Sequence, residues 1–167
     1  MPYSAKAVAN AILNKAAEDG RKITHLKLQK LLYYVAGYYL VATGKPLIDH
    51  TFEAWEYGPV VPEIYHEFKA NAGKPITTQA TELDWETGQF VPVPIPTDDR
   101  ALNKVLDFVM KNYGKYSGAQ LSDMTHREGS PWDLTRQANP GMRGVDIPLE
   151  RLKEHFAPLV RKKVAHE

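Results

Sequence analysis

The residues of this chain best equipped for chemistry lie between Ser122 and Ser130. The spacing predicts a helix over Ser117 to Arg127, so Asp123 and His126, three apart, share one of its faces. Ser122, Thr125 and Ser130 stand close by, and a hydrolase site using His126 and Asp123 is one arrangement they allow. Against it, i, i+3 neighbours on one helix rarely set a base against a nucleophile, and no nucleophile elbow is present. A histidine in this setting commonly caps or bonds a neighbouring helix end. The six histidines form no HExxH or HxH spacing; His66-Glu67 is the nearest start, and Ala70 stands where it would be completed. The chain has no cysteine, which excludes a thiol nucleophile, a thiolate zinc site and a disulfide scaffold. No Walker A or dinucleotide fingerprint occurs. Gly141-Met142-Arg143-Gly144 has the bare GxxG of some RNA-binding loops, and reads more simply as a turn. The expectation is a chain without catalytic residues, metal or cofactor.

Another group of residues points to binding. From Gly20 to Lys45 the chain carries Arg21, Lys22, Lys27, Lys30 and Lys45 and no acid. From Pro46 to Phe68 it carries Asp49, Glu53, Glu56, Glu63 and Glu67 and neither Lys nor Arg. The plain reading is two solvated faces that pair with each other. The sharper one is an acidic, aromatic lip around Trp55 and Tyr57 that receives a basic partner, since aromatic anchors with charged rims are what protein interfaces use. The expected partner-binding residues are Glu53, Trp55, Glu56, Tyr57, Gly58, Pro59 and Val60. Pro59-Val60-Val61-Pro62 also matches PxxP, although both prolines suit a turn feeding a helix.

These residues need elements to position them, and the strongest element is Leu26 to Val41, LKLQKLLYYVAGYYLV. Leu28, Leu31, Leu32, Val35, Tyr39 and Ala42 form one helical stripe, and Tyr34, Tyr38 and Val41 lie beside it. Thr24 is a fitting N-cap and Gly44 a fitting terminator. A helix greasy over so much of its circumference belongs at the centre, with other segments packed around it. A first helix is predicted over Ser4 to Ala17. Phe52 to Tyr57 reads as a short strand, Gly58-Pro59 as a turn, and Pro62 as the first position of a helix through Phe68. In the connector from Lys74 to Thr97, Glu86-Thr87-Gly88 suits a hairpin turn. There Pro92, Pro94 and Pro96 bar a central strand, so a poorly ordered stretch is expected beyond the hairpin. Helices follow at Asp98 to Tyr113, at Ser117, whose Gln120 completes a capping box, and at Ser130-Pro131. Asn139-Pro140-Gly141 is a turn, and Val145 to Ile147 a brief strand. Pro148 opens a last helix, which Pro158 should break or kink.

At 167 residues the chain suits one domain, spanning 4–166, able to bury roughly 70% of the surface exposed on unfolding. The expected fold class is mainly α (α+β): a helical bundle around a buried central helix, with a small β hairpin or sheet. A net charge of +1 gives no global attraction to nucleic acid or to anionic lipid. No apolar run approaches the ~20 residues of a membrane span, and the N-terminus lacks the pattern of a signal peptide. A cytoplasmic protein with neither membrane nor nucleic acid as partner is expected; the composition leaves the oligomeric state open.

Three stretches together resemble a known family. KLQKLLYYV (Lys27 to Val35), FEAWEYGPVVPEIYHEF (Phe52 to Phe68) and LSDMTHREGSPWDLT (Leu121 to Thr135) are similar to the Panacea antitoxin domain, also described as SocA-like or as phage-associated GepA-like. The resemblance runs from about Ser4 to about Thr135. It implies an antitoxin of a toxin–antitoxin system, of the kind carried on prophages, that neutralises a cognate toxin by direct protein contact. One branch of the family acts instead as a proteolytic adaptor delivering its toxin to the ClpXP protease. The resemblance also implies a mainly helical fold and offers no catalytic residue; Trp55, Tyr57, Gly58, Pro59 and Trp132 are its motif positions. A DNA-binding transcriptional regulator is the alternative from another class, and steep salt dependence of DNA binding would mark it.

Overall fold

The computed structural model describes residues 1–165; His166, the expected end of the folded unit, lies outside the described residues. The chain folds around α2 (His25–Thr43), which touches α1 (Ala5–Glu18), α3 (Pro62–Phe68), α4 (Arg100–Tyr113), α5 (Gly118–Thr125) and α7 (Leu149–Ala165). Every α2 residue from Lys27 to Leu40 is buried. Apolar side chains line the helix on all sides, so neighbours must surround it; of the expected stripes only Ala42, at the end, is exposed. Thr24 accepts from the Lys27 amide, and Gly44 closes the helix in the left-handed conformation.

The tyrosines give this core its cross-links. Tyr34 stacks on Tyr113 at 4.1 Å, and the hydroxyls of Tyr38 and Tyr113 share a 2.6 Å hydrogen bond. Tyr39 donates to Asp99 at 2.7 Å, and Tyr3 donates to the same carboxylate oxygen. The Phe156 ring of α7 lies where a side chain on Gly37 would stand, with a Cβ there meeting it at 2.2 Å. The absent Cβ is what lets α7 close on α2.

Among the described residues the fold has seven helices and two small sheets. The first sheet runs in the order β2 (Gly58–Val60), β1 (Glu53–Trp55), β5 (Val145–Asp146), all antiparallel. The second is a hairpin, β3 (Thr81–Leu83) with β4 (Phe90–Pro92). α6 (Pro131–Ala138) packs on β1, β5 and α7. Ser4, Ser117 and Ser130 cap their helices as the sequence predicts, Ser117 with the full capping box, while α4 begins two residues after the expected Asp98, capped by Asp99.

Two local expectations are corrected. Gly58-Pro59 is not the turn: Trp55 pairs with Gly58, so the turn is Glu56-Tyr57, and Gly58 to Val60 form the returning strand. Pro59 is tolerated there because β2 is an edge strand. Pro158 does not break the last helix, which runs on through it to Ala165. The proline is exposed, so the backbone carbonyl it leaves without a partner can turn to water instead of being stranded in the core.

Candidate partner-binding surface

The β1–β2 turn is built upward from buried polar side chains. Six backbone carbonyls between Ala54 and Val61 accept hydrogen bonds from side chains on three helices. From α2, Gln29 Nε2 donates to Val61 O while its Oε1 accepts the Val61 amide at 2.9 Å. Lys30 Nζ donates to Pro59 O at 2.9 Å. From α5, Ser122 Oγ donates to Tyr57 O at 2.7 Å, and His126 at its C-terminus bonds Glu56 O through Nε2 at 3.0 Å. From α6, Trp132 Nε1 donates to Trp55 O at 2.5 Å, and Arg136 donates to Ala54 O.

Lys30 is wholly buried, and among the described residues no carboxylate pairs with it. Burial pushes its ammonium down to about 7, because a charge removed from water without a counter-ion favours the neutral form. Above it Gly58 adopts φ +109°, and a Cβ there would meet Thr125 Oγ1 at 2.8 Å and Lys30 Nζ at 3.0 Å. Only glycine fits both that backbone conformation and that space.

The expected binding residues divide into two layers. Tyr57 is 66% exposed at the tip, and Glu56 beside it is exposed. Glu53 and Trp55 are half-buried at the rim. The Trp55 indole donates to Glu53 at 2.9 Å, and its ring packs edge-on to Tyr65. Gly58, Pro59 and Val60 are buried and form the support beneath. Beside the rim lies an open groove of about 600 Å³ lined by Glu53, Ala54, Trp55, Glu56, Arg136, Arg143 and Gly144. The lip is therefore less acidic than its own sequence suggests, because folding brings two arginines against it.

Ser122, Asp123 and His126 do not assemble as a triad. The other ring nitrogen of His126, Nδ1, contacts Ser122 O, so both nitrogens meet backbone carbonyls. Ser122 Oγ is committed to Tyr57, and Ser130 Oγ donates to Thr125 O while capping α6. His126 is a positioning residue, its ring held against Trp132 at 4.0 Å. Among the described residues no cluster of His, Asp or Glu could hold a metal ion.

The two charged stretches do not pair with each other either. Arg21 and Lys27 both donate to Gly114 O at the end of α4, where a helix presents unpaired carbonyls. With Lys27 and Lys30 buried, Arg21, Lys22 and Lys45 are the cations of this stretch that remain exposed. Among the acids, Asp49 and Glu63 flank His50, and Glu67 pairs with Lys6. No described helix is long and apolar enough to cross a membrane.

Sequence reasoning missed Gln29 and Lys30, which it read as part of the central helix. The signal was there: two polar side chains inside a helix greasy all round must find buried partners.

The family described as "Antitoxin SocA-like, Panacea domain" matches residues 28–133, a span that contains the lip and all its supporting side chains except Arg136. Antitoxin SocA of Caulobacter vibrioides (strain NA1000 / CB15N) is 41% identical over 155 residues, covering 91% of this chain and 81% of that protein. No solved structure matches.

Proposed function

The chain belongs to the SocA-like antitoxin family that carries the Panacea domain, and on that premise we propose that it neutralises a toxin protein by direct contact through the β1–β2 lip. The observation that carries this reading is Tyr57, a large ring two-thirds exposed on a turn fixed from below by Ser122, His126 and Trp132. A rigid aromatic held in water loses little entropy on binding, and such residues dominate interface energetics. In this reading Tyr57 is the central anchor, Trp55 and Glu53 form its rim, and Glu56 selects for a cation on the toxin. Gly58, Pro59 and Val60 keep the turn in shape.

The action is binding and not catalysis, since the candidate acid–base residue, His126, holds backbone. It takes place in the cytoplasm, and contact silences the toxin either by sequestration or by delivery to the ClpXP protease. Co-purification with the product of the adjacent gene tests the contact. Tyr57→Ala is expected to weaken the complex by about 30-fold, the scale of a truncated hot spot, with an unchanged melting temperature. Wild-type affinity in that variant would remove the lip from the interface. Growth rescue without any association would end the direct-contact reading. Rescue that persists in a host lacking ClpX assigns sequestration; rescue lost there assigns delivery.

A further inference from the structure

Trp85 is 88% exposed and Phe90 72%, both on the β3–β4 hairpin, which neither the core nor the lip uses. The hairpin is nonetheless firmly made. Asp84 N donates to Gln89 O at 2.8 Å, Gly88 N to Asp84 O at 2.7 Å, and Glu86 N to Asp84 Oδ1 at 2.9 Å. Its two feet are clamped by Asn10 of α1, a wholly buried side chain. Asn10 Nδ2 donates to Ala80 O and to Val93 O, and its Oδ1 accepts the Ala80 amide at 2.7 Å. Thr81 is held from both sides, its amide by Glu67 and its carbonyl by Lys6. A buried asparagine is thus devoted to an element whose own strand residues are exposed or only half-buried.

The charge of this element is one-sided. Residues 75–99 include no Lys or Arg. Glu82, Asp84 and Glu86 form no ion pair among the described residues. At the lip Glu53 and Glu56 form no ion pair either among the described residues, but there Arg136 and Arg143 line the same groove. Pairing with a second copy of this chain would set like charges together, which disfavours it. Strand addition is also poorly served, because each strand has three residues and Pro92 lacks an amide.

We propose that the β3–β4 hairpin is a second anchor for the same toxin, with Trp85 entering an apolar slot whose Lys or Arg rim meets Glu82, Asp84 and Glu86. The inference rests on the reading of the chain as a toxin binder and adds the partner's chemistry. Two aromatic side chains carried on fixed turns of one body would raise affinity through effective concentration.

The experiment uses the purified chain and the adjacent gene's product, with binding measured at low and high salt. Trp85→Ala is expected to weaken the complex about 30-fold without moving the melting temperature. The triple variant Glu82→Gln, Asp84→Asn, Glu86→Gln should slow association and flatten its salt dependence. Phe90→Ala should give a smaller loss than Trp85→Ala. A wild-type complex that tolerates all three overturns the hairpin anchor and leaves the lip reading standing. Absence of a wild-type complex overturns both. A loss in Tyr57→Ala with none in Trp85→Ala assigns the contact to the lip alone.

Discussion

The two hairpins of this chain carry similar residues and are held in opposite ways. At the lip, Trp55 and Tyr57 stand among Glu53 and Glu56, and side chains from α2, α5 and α6 grip the turn itself. At β3–β4, Trp85 and Phe90 stand among Glu82, Asp84 and Glu86. There the grip is at the feet, through Asn10, while the tip is closed by its own backbone. The difference teaches where each hairpin can tolerate change. The backbone of the lip is an extension of the core, so a change that strains the turn disturbs the fold, whereas the exposed Tyr57 side chain can be cut without that effect. The second hairpin is a separate finger, changeable at the tip and vulnerable only at its root.

Replacing the glycine beside the lip turn tests that contrast most severely. Gly58→Ala forces a Cβ into the left-handed region, 2.8 Å from Thr125 and 3.0 Å from Lys30. The strain and the clash together should cost about 4 kcal/mol, seen as a lower denaturant midpoint, with toxin binding lost in the population that still folds. A loss below about 1 kcal/mol would mean that the lip moves freely and is not anchored as described. Asn10→Ala strikes the other hairpin at its root. It leaves the Ala80 amide and the Val93 carbonyl without their Asn10 partner in a buried site and takes one of two donors from the Ala80 carbonyl, at an expected cost of about 3 kcal/mol. Amide exchange in residues 80–93 should accelerate more than in α2, since the damage is local.

The sequence made the bundle legible and left the lip's support hidden, for a physical reason. Helix periodicity and caps are local signals, so α1, α2, α4 and the Ser117 capping box lie where spacing and cap residues put them. The lip is held by side chain to backbone contacts across long stretches of chain: Gln29 and Lys30 from one motif, Ser122, His126 and Trp132 from another. Two of the residues that suggested a hydrolase, Ser122 and His126, bond a turn 65 and 70 residues away. Nor could net charge along the chain foresee Arg136 and Arg143 folding against the lip, or Lys27 being buried against Gly114. Gly58-Pro59 was misread because turn propensity does not distinguish a turn from an edge strand beside one.

Lys30 offers a pH test confined to the lip. Its folded value is about 7, against roughly 10.4 in an unfolded chain. Below pH 7 both states hold the proton, and the burial penalty is fully present and constant. Between pH 7 and about 10 the unfolded chain binds more protons, so stability rises with pH. Above about pH 10 the trend reverses, because burial raises Tyr33, Tyr34 and Tyr38 and the unfolded chain then ionises first. Wild-type stability should therefore gain on the order of 2 kcal/mol between pH 7 and pH 9.5. Lys30→Met should reduce that rise, leaving the part due to Lys27, whose ammonium burial also lowers, and should leave Pro59 O without its donor. Amide exchange at Asn10-clamped Ala80 should show no comparable pH effect beyond its intrinsic chemistry. A slope that survives undiminished in Lys30→Met would assign the titration elsewhere.

The smallest effect is the sharpest control. Gly88 has φ +72° where Gly58 has +109°, both positive, yet a Cβ at Gly88 meets nothing within 4 Å. Gly88→Ala should therefore cost only the backbone term, about 1 kcal/mol, with Trp85 still presented and binding within about twofold of wild type. If Gly88→Ala proved as damaging as Gly58→Ala, backbone strain alone would account for both, and the buried contacts beneath the lip would lose their claim to set it apart. If it proved harmless while Gly58→Ala unfolded the chain, the excess would measure the packing of Lys30 and Thr125 under the turn. The comparison bears on that packing because both glycines hold a positive φ, while only Gly58 has side chains where a Cβ would stand.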